Sequence, residues 1–452
     1  AQEASYTLEE ALKQVVTANP DLAQAQARRQ QARASVEQVY VALNPTISTT
    51  FSYYRTFQPT QSANSGFNNF VNSLIPGLIP TGAPDPDTYS GGLVLQQTIS
   101  TFGRLRWTAL AQKLSEKASA QDYRTALLGL IQQAEKAYVT VKASEDQLAL
   151  VERRRKLRQE FLDVSRNRLK AGLIAEFEVI QSQTQMQSAK IELAQSQLEK
   201  ETAQTALLIL MGQKPRAQVS FAPLLALPDP PASLEDPLAY ALQYRPEVAS
   251  FRWALAAAVS NVEAAWHQSA PDLSLVSQYL LNQVPGTPVQ RNWIAGLQLN
   301  FPLYDGGAAQ VAAQQAEGVV AEVRANLDSQ TRQVEQEVRS KYLRLHSLWQ
   351  QIRDSDANCK LNDDALQIAL NRYRAGLSSS TEWITAQETW MQAQQNRLNL
   401  QLDYRQTWAD WNRAIAAKPT IELPLTSQVE WQDLPRLLGP GEKPDESWLE
   451  KP

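Results

Sequence analysis

The sequence predicts a mainly α-helical protein with a small β part, built from two copies of one long repeat. The segment 8–22 resembles 234–248, and Pro20 of the first copy matches Pro246 of the second. Each copy carries two segments of alternating polar and apolar residues and then a long stretch without proline. A repeat of roughly 200 residues is too long for a solenoid unit, which typically has 20–50. It indicates a duplicated domain, from which we expect a symmetric tubular assembly.

The composition excludes several classes of site. The 452 residues carry a net charge of −4, so no basic field suggests binding to nucleic acid. No run of about 18 apolar residues is present, so no transmembrane helix is expected. Cys359 is the single cysteine, and His267 and His346 lack partners at metal-ligand spacing, so neither a disulfide nor a metal site is predicted. Because no nucleophile–base pair or phosphate loop is recognisable, we expect neither an enzyme nor a bound cofactor.

The first residues of the chain suggest processing. The chain opens with AQEAS, without an initiator methionine and without a basic and apolar leader. We expect this of a mature form from which a secretory signal has been removed, or of a trimmed chain.

Capping residues mark the first helix of each copy. The segment 7–10 (TLEE) matches a capping box. In this motif the side chain of the first residue accepts a hydrogen bond from the backbone N–H of the fourth, and the side chain of the fourth accepts one from the backbone N–H of the first. The segment 233–236 (SLED) is a similar cap in the second copy. Pro20 should break or restart the first helix, because its ring clashes with the preceding turn. The helix should then run to about Leu43.

Four amphipathic strands are predicted, two in each copy. Apolar or aromatic residues alternate with polar ones, which is the period-2 pattern of a strand with one apolar face. A long loop at 55–88, rich in proline, glycine, asparagine, serine and threonine, separates the first two strands. The predicted strands are 45–55, 89–100, 271–282 and 292–303.

These strands have the length of a membrane strand, about 10 residues. Aromatic residues lie toward their ends, as in the aromatic girdles of membrane barrels. The alternative is an ordinary sheet that covers a soluble core. Four strands cannot close a barrel and an open edge is not viable in lipid, so several chains would have to share one barrel, and three would give twelve strands. The predicted girdle residues are Tyr53, Tyr279, Trp293 and Phe301.

Two long helices follow the strand pairs, from Gly103 to about Ala171 and from Gly307 to about Ala375, each free of proline. At 1.5 Å per residue each would extend roughly 100 Å. Each ends at an Ala-Gly-Leu segment, where glycine supplies the left-handed residue that stops a helix. A second helix then returns, so each copy holds one coiled-coil hairpin with an exposed tip. The predicted divisions are a first repeat (1–212), a Pro-rich connector (213–232), a second repeat (233–416) and a C-terminal tail (417–452).

Several segments, in this order and present twice, carry a family resemblance. They are NPDL and RPEV, NPTIS and APDLS, TFGR and YDGG after the second and fourth strands, and the two AGL tips. Over about residues 5–416 the chain resembles the outer-membrane efflux proteins of the TolC family. The resemblance implies a homotrimer with a twelve-stranded barrel in the outer membrane of a Gram-negative bacterium and an α-helical barrel in the periplasm.

The resemblance also implies partners and a function. A periplasmic adaptor would dock at the helical tips and join the duct to an inner-membrane RND or ABC transporter. The duct would carry drugs, toxic compounds and proteins outward, and it would stay closed at the tips until its partners dock. The tip residues that match the docking pattern are Gly172, Leu173, Gly376 and Leu377.

The resemblance further implies a gate at the tips. In the family a tyrosine three residues before the second glycine pairs with the first tip's acid, and Tyr373 and Glu178 occupy those positions. Glu382 is the second acid. This chain departs from the family pattern with glutamate in place of the commoner aspartate at both acids. It also has Ser378 in place of arginine, Trp383 in place of valine and Thr385 in place of an acid.

Simpler interpretations exist for each of these residues. The tip glycines are needed for the turn whatever else they do. Glu178 and Glu382 near a helix start favour the helix dipole. The basic run at 153–156 is typical of a solvated coiled-coil face.

Two other protein classes also fit parts of the pattern. A periplasmic adaptor-like protein has coiled-coil hairpins, but the lipoyl-type β domain expected between the hairpin arms is absent and the strand pairs argue against it. A trimeric coiled-coil adhesin would be an interaction protein without a pore, but adhesins do not duplicate internally with membrane-length strands.

Overall fold

The computed structural model describes residues 4–55, 87–215, 219–283 and 288–417. Most of the predicted long loop and the whole C-terminal tail apart from Ala417 lie outside these ranges. The prediction of a mainly helical fold with a small β part is confirmed. In chain order the described elements are β1 (Ala4–Tyr6), α1 (Leu8–Ala18), α2 (Pro20–Val41), β2 (Thr46–Arg55), β3 (Asp87–Ser100), α3 (Arg104–Lys170), α4 (Glu176–Leu210), β4 (Val219–Phe221), α5 (Glu235–Tyr244), α6 (Pro246–Trp266), a 3-10 turn (His267–Ser269), β5 (Asp272–Gln283), β6 (Gln290–Asn300), α7 (Ala308–Arg374) and α8 (Ser380–Ala414).

The chain folds into two compact units that cut across the two sequence copies. The first unit takes its described residues from Ala1–Gln31, Glu116–Leu255 and Glu322–Leu437. The second takes its described residues from Ala32–Ser115 and Ala256–Ala321. Each unit therefore combines segments from both copies.

The second unit contains one antiparallel four-stranded sheet in the order β2-β3-β5-β6. The two predicted hairpins join through β3 and β5, which pair along most of their lengths. A register shift between Thr98 and Ser100 interrupts this pairing near its end. Strands β2 and β6 form the two outer edges of the sheet.

The sheet has one apolar and one mainly polar face. The register places Thr49, Leu93, Tyr279 and Trp293 in one row across the four strands. Directly opposed residues project to the same side of a sheet, so this row and the rows two residues away along each strand define the apolar face. On the other face the hydroxyls of serines in β2 and β3 lie 2.6 Å apart.

The turn from β6 into α7 is fixed by one carboxylate in the second unit. Asp305 accepts hydrogen bonds from the backbone N–H groups of Gly307 at 2.8 Å and Ala309 at 3.0 Å, and from the Ser269 hydroxyl. The Ser269 bond and then the two backbone bonds lower the pKa of Asp305 to about 2. The YDGG segment is therefore a helix cap at this junction.

The core of the first unit forms where α1 packs on the heptad seam of α3. Residues at alternating spacings of four and three along α3 are buried, as the sequence pattern predicts. The Tyr138 hydroxyl from this seam lies 3.1 Å from the carbonyl oxygen of Tyr6 and 2.7 Å from that of Ala222, next to the parallel pair β1 and β4. Members of this core include Ala11, Leu12, Val15, Leu127, Ile131, Ala134, Val141, Leu207 and Met211.

In the first unit, the junction between α1 and α2 and the junction between α5 and α6 differ in chemistry. At the first, the Asn19 side chain accepts a hydrogen bond from the backbone of Asp21 at 2.8 Å. At the second, Arg245 is buried and pairs with Glu247 at 3.1 Å and Glu337 at 2.6 Å. Burial alone would lower the pKa of Arg245, but the two carboxylates outweigh it and raise the pKa. The neutral cap at the junction in the first copy thus corresponds to a buried ion network at the junction in the second.

In the described parts of the chain, none of the helices combines the length and the apolar character that a membrane-spanning helix needs. The same ranges contain no group of three or more histidine, cysteine, aspartate or glutamate side chains able to hold a metal ion.

Candidate functional site

The first hairpin tip ends α3 with a left-handed glycine. Gly172 has φ +69°, a conformation that costs a residue with a Cβ atom about 1–2 kcal/mol. The backbone N–H of Leu173 donates to the Arg168 carbonyl at 2.9 Å, and that of Gly172 donates to the Leu169 carbonyl at 2.9 Å. These two bonds are those of a Schellman motif, which satisfies the last carbonyl groups of the helix.

The second hairpin tip repeats the same turn. Gly376 has φ +77°, and its N–H donates to the Tyr373 carbonyl at 3.0 Å. The N–H of Leu377 donates to the Arg372 carbonyl at 2.8 Å. Both tip leucines are exposed, Leu173 by 67% and Leu377 by 72%. The tips therefore present two equivalent apolar side chains to solvent.

Tyr373 lies in a buried hydrogen-bonded chain between the two hairpins. Its hydroxyl is 3.0 Å from the Ser165 Oγ. Ser182 Oγ lies 3.2 Å from Ser165 Oγ and donates to the Glu178 carbonyl oxygen at 2.8 Å. Among the described residues, the Glu178 carboxylate makes no hydrogen bond to Tyr373. The direct pairing implied by the resemblance is thus replaced here by two serines and a backbone carbonyl.

The ring of Tyr373 is held by residues of α3. The Arg168 guanidinium lies 4.6 Å from the ring centre and donates to the Tyr373 carbonyl at 3.2 Å. Arg374 forms an ion pair with Glu160. The end of α3 therefore packs against the end of α7 and forms polar contacts with it. These contacts join the first hairpin to the second.

The remaining predicted gate residues lie at the start of α8. Ser379 caps this helix by accepting from the Glu382 backbone at 3.3 Å, and the Glu382 carboxylate lies 3.5 Å from Arg372. The Ser378 hydroxyl is buried and has no hydrogen-bond partner among the described residues. Thr385 is exposed. The cap was detectable in the sequence, because Ser379 and Glu382 stand three residues apart as in a capping box.

Trp383 is the centre of an aromatic cluster at the second tip. It is fully buried, and its ring stacks on Phe161 at 4.0 Å with an angle of 5° between the planes. The Tyr373 ring lies 4.9 Å from Phe161 on another side. The corresponding position of the first tip is Val179, which packs in a smaller cluster. The departure from the family's valine therefore fills a space between the hairpins.

The basic run on α3 is solvated only in part. The Arg154 side chain is only 13% exposed and contacts both carboxylate oxygens of Glu192 on α4 and of Glu388 on α8 at 2.7–2.9 Å. Arg158 is 6% exposed, pairs with Glu388, and donates to the Gln185 carbonyl at 2.9 Å. Burial, and then the charge of Arg154, lower the pKa of Arg158. The expectation of a solvated run is wrong for Arg154, and its neighbour Arg158 continues the buried cluster.

A polar groove opens beside this arginine cluster, with a volume of about 1010 Å³. Amide side chains dominate its lining, so it can hydrogen-bond water without presenting a strong net charge. Its lining includes Glu192, Asn358, Asn362, Glu388, Gln392, Gln395, Asn396 and Asn399.

Three of the four predicted girdle aromatics share one face of the sheet, and the four lie at three heights. Tyr53 opposes Tyr89, with ring centres 5.1 Å apart. Tyr279 opposes Trp293 in a row four residues further from the β2–β3 loop. Phe301 follows the last residue of β6, at the opposite end. All four are exposed in the single chain.

A family model agrees with this architecture. The model described as "Outer membrane efflux protein" matches residues 11–213 and 238–417. The two matched segments correspond to the two sequence copies, and both tips lie within them.

Curated relatives and a solved structure extend the comparison. The toxin and drug export protein A of Aggregatibacter actinomycetemcomitans is 23% identical over 72% of this chain and 71% of the relative. The probable efflux pump outer membrane protein TtgC of Pseudomonas putida is 24% identical over 66% of this chain and 62% of its own length. The crystal structure of the Campylobacter jejuni CmeC outer membrane channel superimposes with a TM-score of 0.75 at 21% identity, over 90% of this chain and 85% of that one.

The family model covers most of the chain, and the fold agrees with that of an outer-membrane channel. The chain belongs to the outer membrane efflux protein family.

Proposed function

We propose that three copies of this chain form an export duct in the outer membrane, with helical hairpins in the periplasm that close its entrance. The observation that carries this proposal is the four-stranded sheet, with an exposed aromatic face and two outer edge strands, β2 and β6. These features suit a sheet that has lipid on one face and further strands at its edges.

The edge strands determine the assembly. An unpaired strand edge in lipid leaves backbone N–H and C=O groups without partners, at several kcal/mol each. Pairing β2 of one copy with β6 of the next removes both edges, and three copies give a closed barrel of twelve strands. The aromatic residues on the outer face, including Trp293, would then lie toward the lipid headgroups.

The tips are proposed as the gate. Tyr373, Ser165 and Ser182 link the two hairpins by hydrogen bonds, while Arg374 pairs with Glu160. Separating the hairpin ends would break these contacts together. Glu178, Glu382, Ser378 and Thr385 complete the proposed mouth.

Docking at the tips is proposed to supply the energy of opening. Gly172 with Leu173 and Gly376 with Leu377 present equivalent exposed apolar turns, which suit a periplasmic adaptor that contacts both hairpins. The adaptor would connect the duct to an inner-membrane RND or ABC transporter. Crosslinking from both tip leucines in living cells identifies this partner, and recovery of no periplasmic or inner-membrane protein would contradict the docking role.

The cargo is proposed from the relatives. One is named for toxin and drug export, one for efflux, and another, PrtF of Dickeya chrysanthemi, for secretion of proteases. The polar, weakly charged groove beside Arg154 suits a hydrated wall that binds no single cargo strongly.

Reconstitution tests the proposal directly. The full chain, extracted from membranes with detergent, should migrate as a heat-resistant trimer and produce discrete conductance steps in planar lipid bilayers. A monomer that is soluble without detergent and inactive in bilayers would contradict the duct, and would favour the adaptor or adhesin alternatives.

A further inference from the structure

The inner face of α8 near the second tip buries a glutamine between two tryptophans. Trp383, Gln387 and Trp390 stand at spacings of four and three residues, and all three side chains are fully buried. This spacing is that of a heptad seam, so the three side chains project to the same side of α8. Gln387 belongs to the second turn of the helix and therefore lies close to the tip.

The surroundings of this seam are apolar. The cluster around Trp383 contains Phe161 of α3 together with residues of α7. The cluster around Trp390 contains Val151 of α3, again together with a residue of α7. The position of Gln387 on the seam places its amide between these two clusters, on the side of α8 that packs against the first hairpin.

Neither polar atom of the Gln387 amide has a hydrogen-bond partner among the described residues. An amide buried without partners costs free energy, because it has lost its bonds to water and gained none in the protein. The Gln387 side chain is 0% exposed in the single chain, so a neighbouring copy in an assembly cannot reach it to supply a partner. Most buried polar groups are hydrogen-bonded, and an exception of this kind needs an explanation.

The two tryptophans of the seam differ from each other in the same respect. The indole N–H of Trp390, further from the tip, donates to Asp363 of α7 at 2.5 Å. The indole N–H of Trp383, nearer the tip, has no partner among the described residues. The polar groups of this seam are thus satisfied away from the tip and left without partners close to it.

We propose that the buried amide of Gln387 weakens the packing of α8 on the first hairpin and so sets how readily the tip opens. The tip packs only by burying this amide, whereas separation of the hairpins gives both of its polar atoms access to water. The amide therefore favours separation, against the stack of Trp383 on Phe161 and the polar contacts of Tyr373. This inference rests on the proposed gate and identifies a residue that lowers the energy of opening.

Hydrogen exchange tests the effect on packing. In full-length trimers in detergent, Gln387→Met replaces the amide by an unbranched apolar side chain. The backbone N–H groups in the first turns of α8 should then exchange about tenfold more slowly, which corresponds to about 1.4 kcal/mol. Gln387→Leu should act in the same direction, so the result does not depend on the fit of one side chain. The matched control is Gln392→Met on the same helix, where the glutamine is exposed and lines the polar groove, and it should leave exchange unchanged.

Planar bilayers give the functional readout. Because the same equilibrium governs exchange and opening, Gln387→Met channels should spend about tenfold less time in a high-conductance state than the wild type. Gln392→Met channels should open as the wild type does.

Two results would overturn the inference and leave the duct proposal standing. Unchanged or faster exchange in both variants at position 387 would show that the amide is satisfied in the packed tip. Slower exchange with wild-type opening would show that packing at Gln387 does not govern the channel. A wild-type protein that gives no conductance steps would overturn the inference and the proposed duct together.

Discussion

The two hairpin tips have the same backbone turn but differ in what packs beneath it. Gly172 and Gly376 adopt the same left-handed conformation and close the same Schellman bonds. Beneath the first tip lies a small aliphatic cluster around Val179, whereas beneath the second lies the stack of Trp383 on Phe161. Duplication has preserved the chain reversal, while the packing beneath it has diverged.

Residues of the first hairpin also support the second tip. Phe161 belongs to α3, the helix that leads into the first tip, yet its ring packs against residues of the second tip. Arg168 and Glu160 of the same helix also contact Tyr373 and Arg374. The second tip is therefore anchored on the first hairpin, and releasing it requires breaking an aromatic stack as well as polar contacts.

The largest effect is expected when the anchor is removed. Trp383→Ala should cost about 3–5 kcal/mol of local stability, because a buried indole leaves a cavity. The matched change Val179→Ala should cost about 1.5–2 kcal/mol, at about 0.8 kcal/mol per lost methyl-sized group. Hydrogen exchange of the first turns of α4 and α8 measures both. Equal protection losses at the two tips would refute the asymmetry.

A smaller effect is expected at the arginine cluster above the tips. Glu388→Gln should cost about 1–3 kcal/mol, since it removes a charged partner from both Arg154 and the buried Arg158. Glu192→Gln should cost less, because Arg154 keeps Glu388. Thermal dissociation of the purified protein compares the two variants, and the reverse order would show that Glu388 does not link the hairpins.

The smallest effect is expected at the helix starts. Ser379→Ala removes the side-chain cap of α8 and should cost about 1 kcal/mol. The start of α4 has Ala175 at this position and no side-chain cap, so Ala175→Ser should stabilise the first tip by a similar amount. The rate of limited proteolysis at the tips measures the effect of both substitutions. An unchanged cleavage rate at both tips would argue against the difference in capping between α4 and α8.

The sequence predicted the turns and the strands because their signals are local. Glycine in AGL specifies a left-handed residue, and strict alternation specifies a strand with two unlike faces. The anchor was not predictable in this way, since Phe161 and Trp383 are far apart in the sequence and tryptophan departs from the family pattern. For Arg158 the sequence did carry a signal, which the interpretation of the basic run missed. Arg158 lies seven residues, one heptad, after Val151 on the same seam, and Val151 is buried.

The chemistry of the proposed gate was predictable only in part. The resemblance identified Tyr373, but its partner is Ser165, seven residues after Arg158 on the same seam. A serine among many serines carries no signal of its own. The heptad register of α3 would have placed Ser165 on the buried side of the helix, where a hydroxyl needs a hydrogen-bond partner.

Single-channel conductance in planar bilayers is the most direct test of a duct closed at its tips. Tyr373→Phe with Ser165→Ala removes the hydrogen-bonded chain between the hairpins and keeps the aromatic packing. Tyr404→Phe is the matched control, because its buried hydroxyl donates to the Pro228 carbonyl at 2.7 Å, away from the tips. The account predicts a higher conductance for the tip variant and an unchanged conductance for the control, whereas wild-type conductance in the tip variant would contradict it.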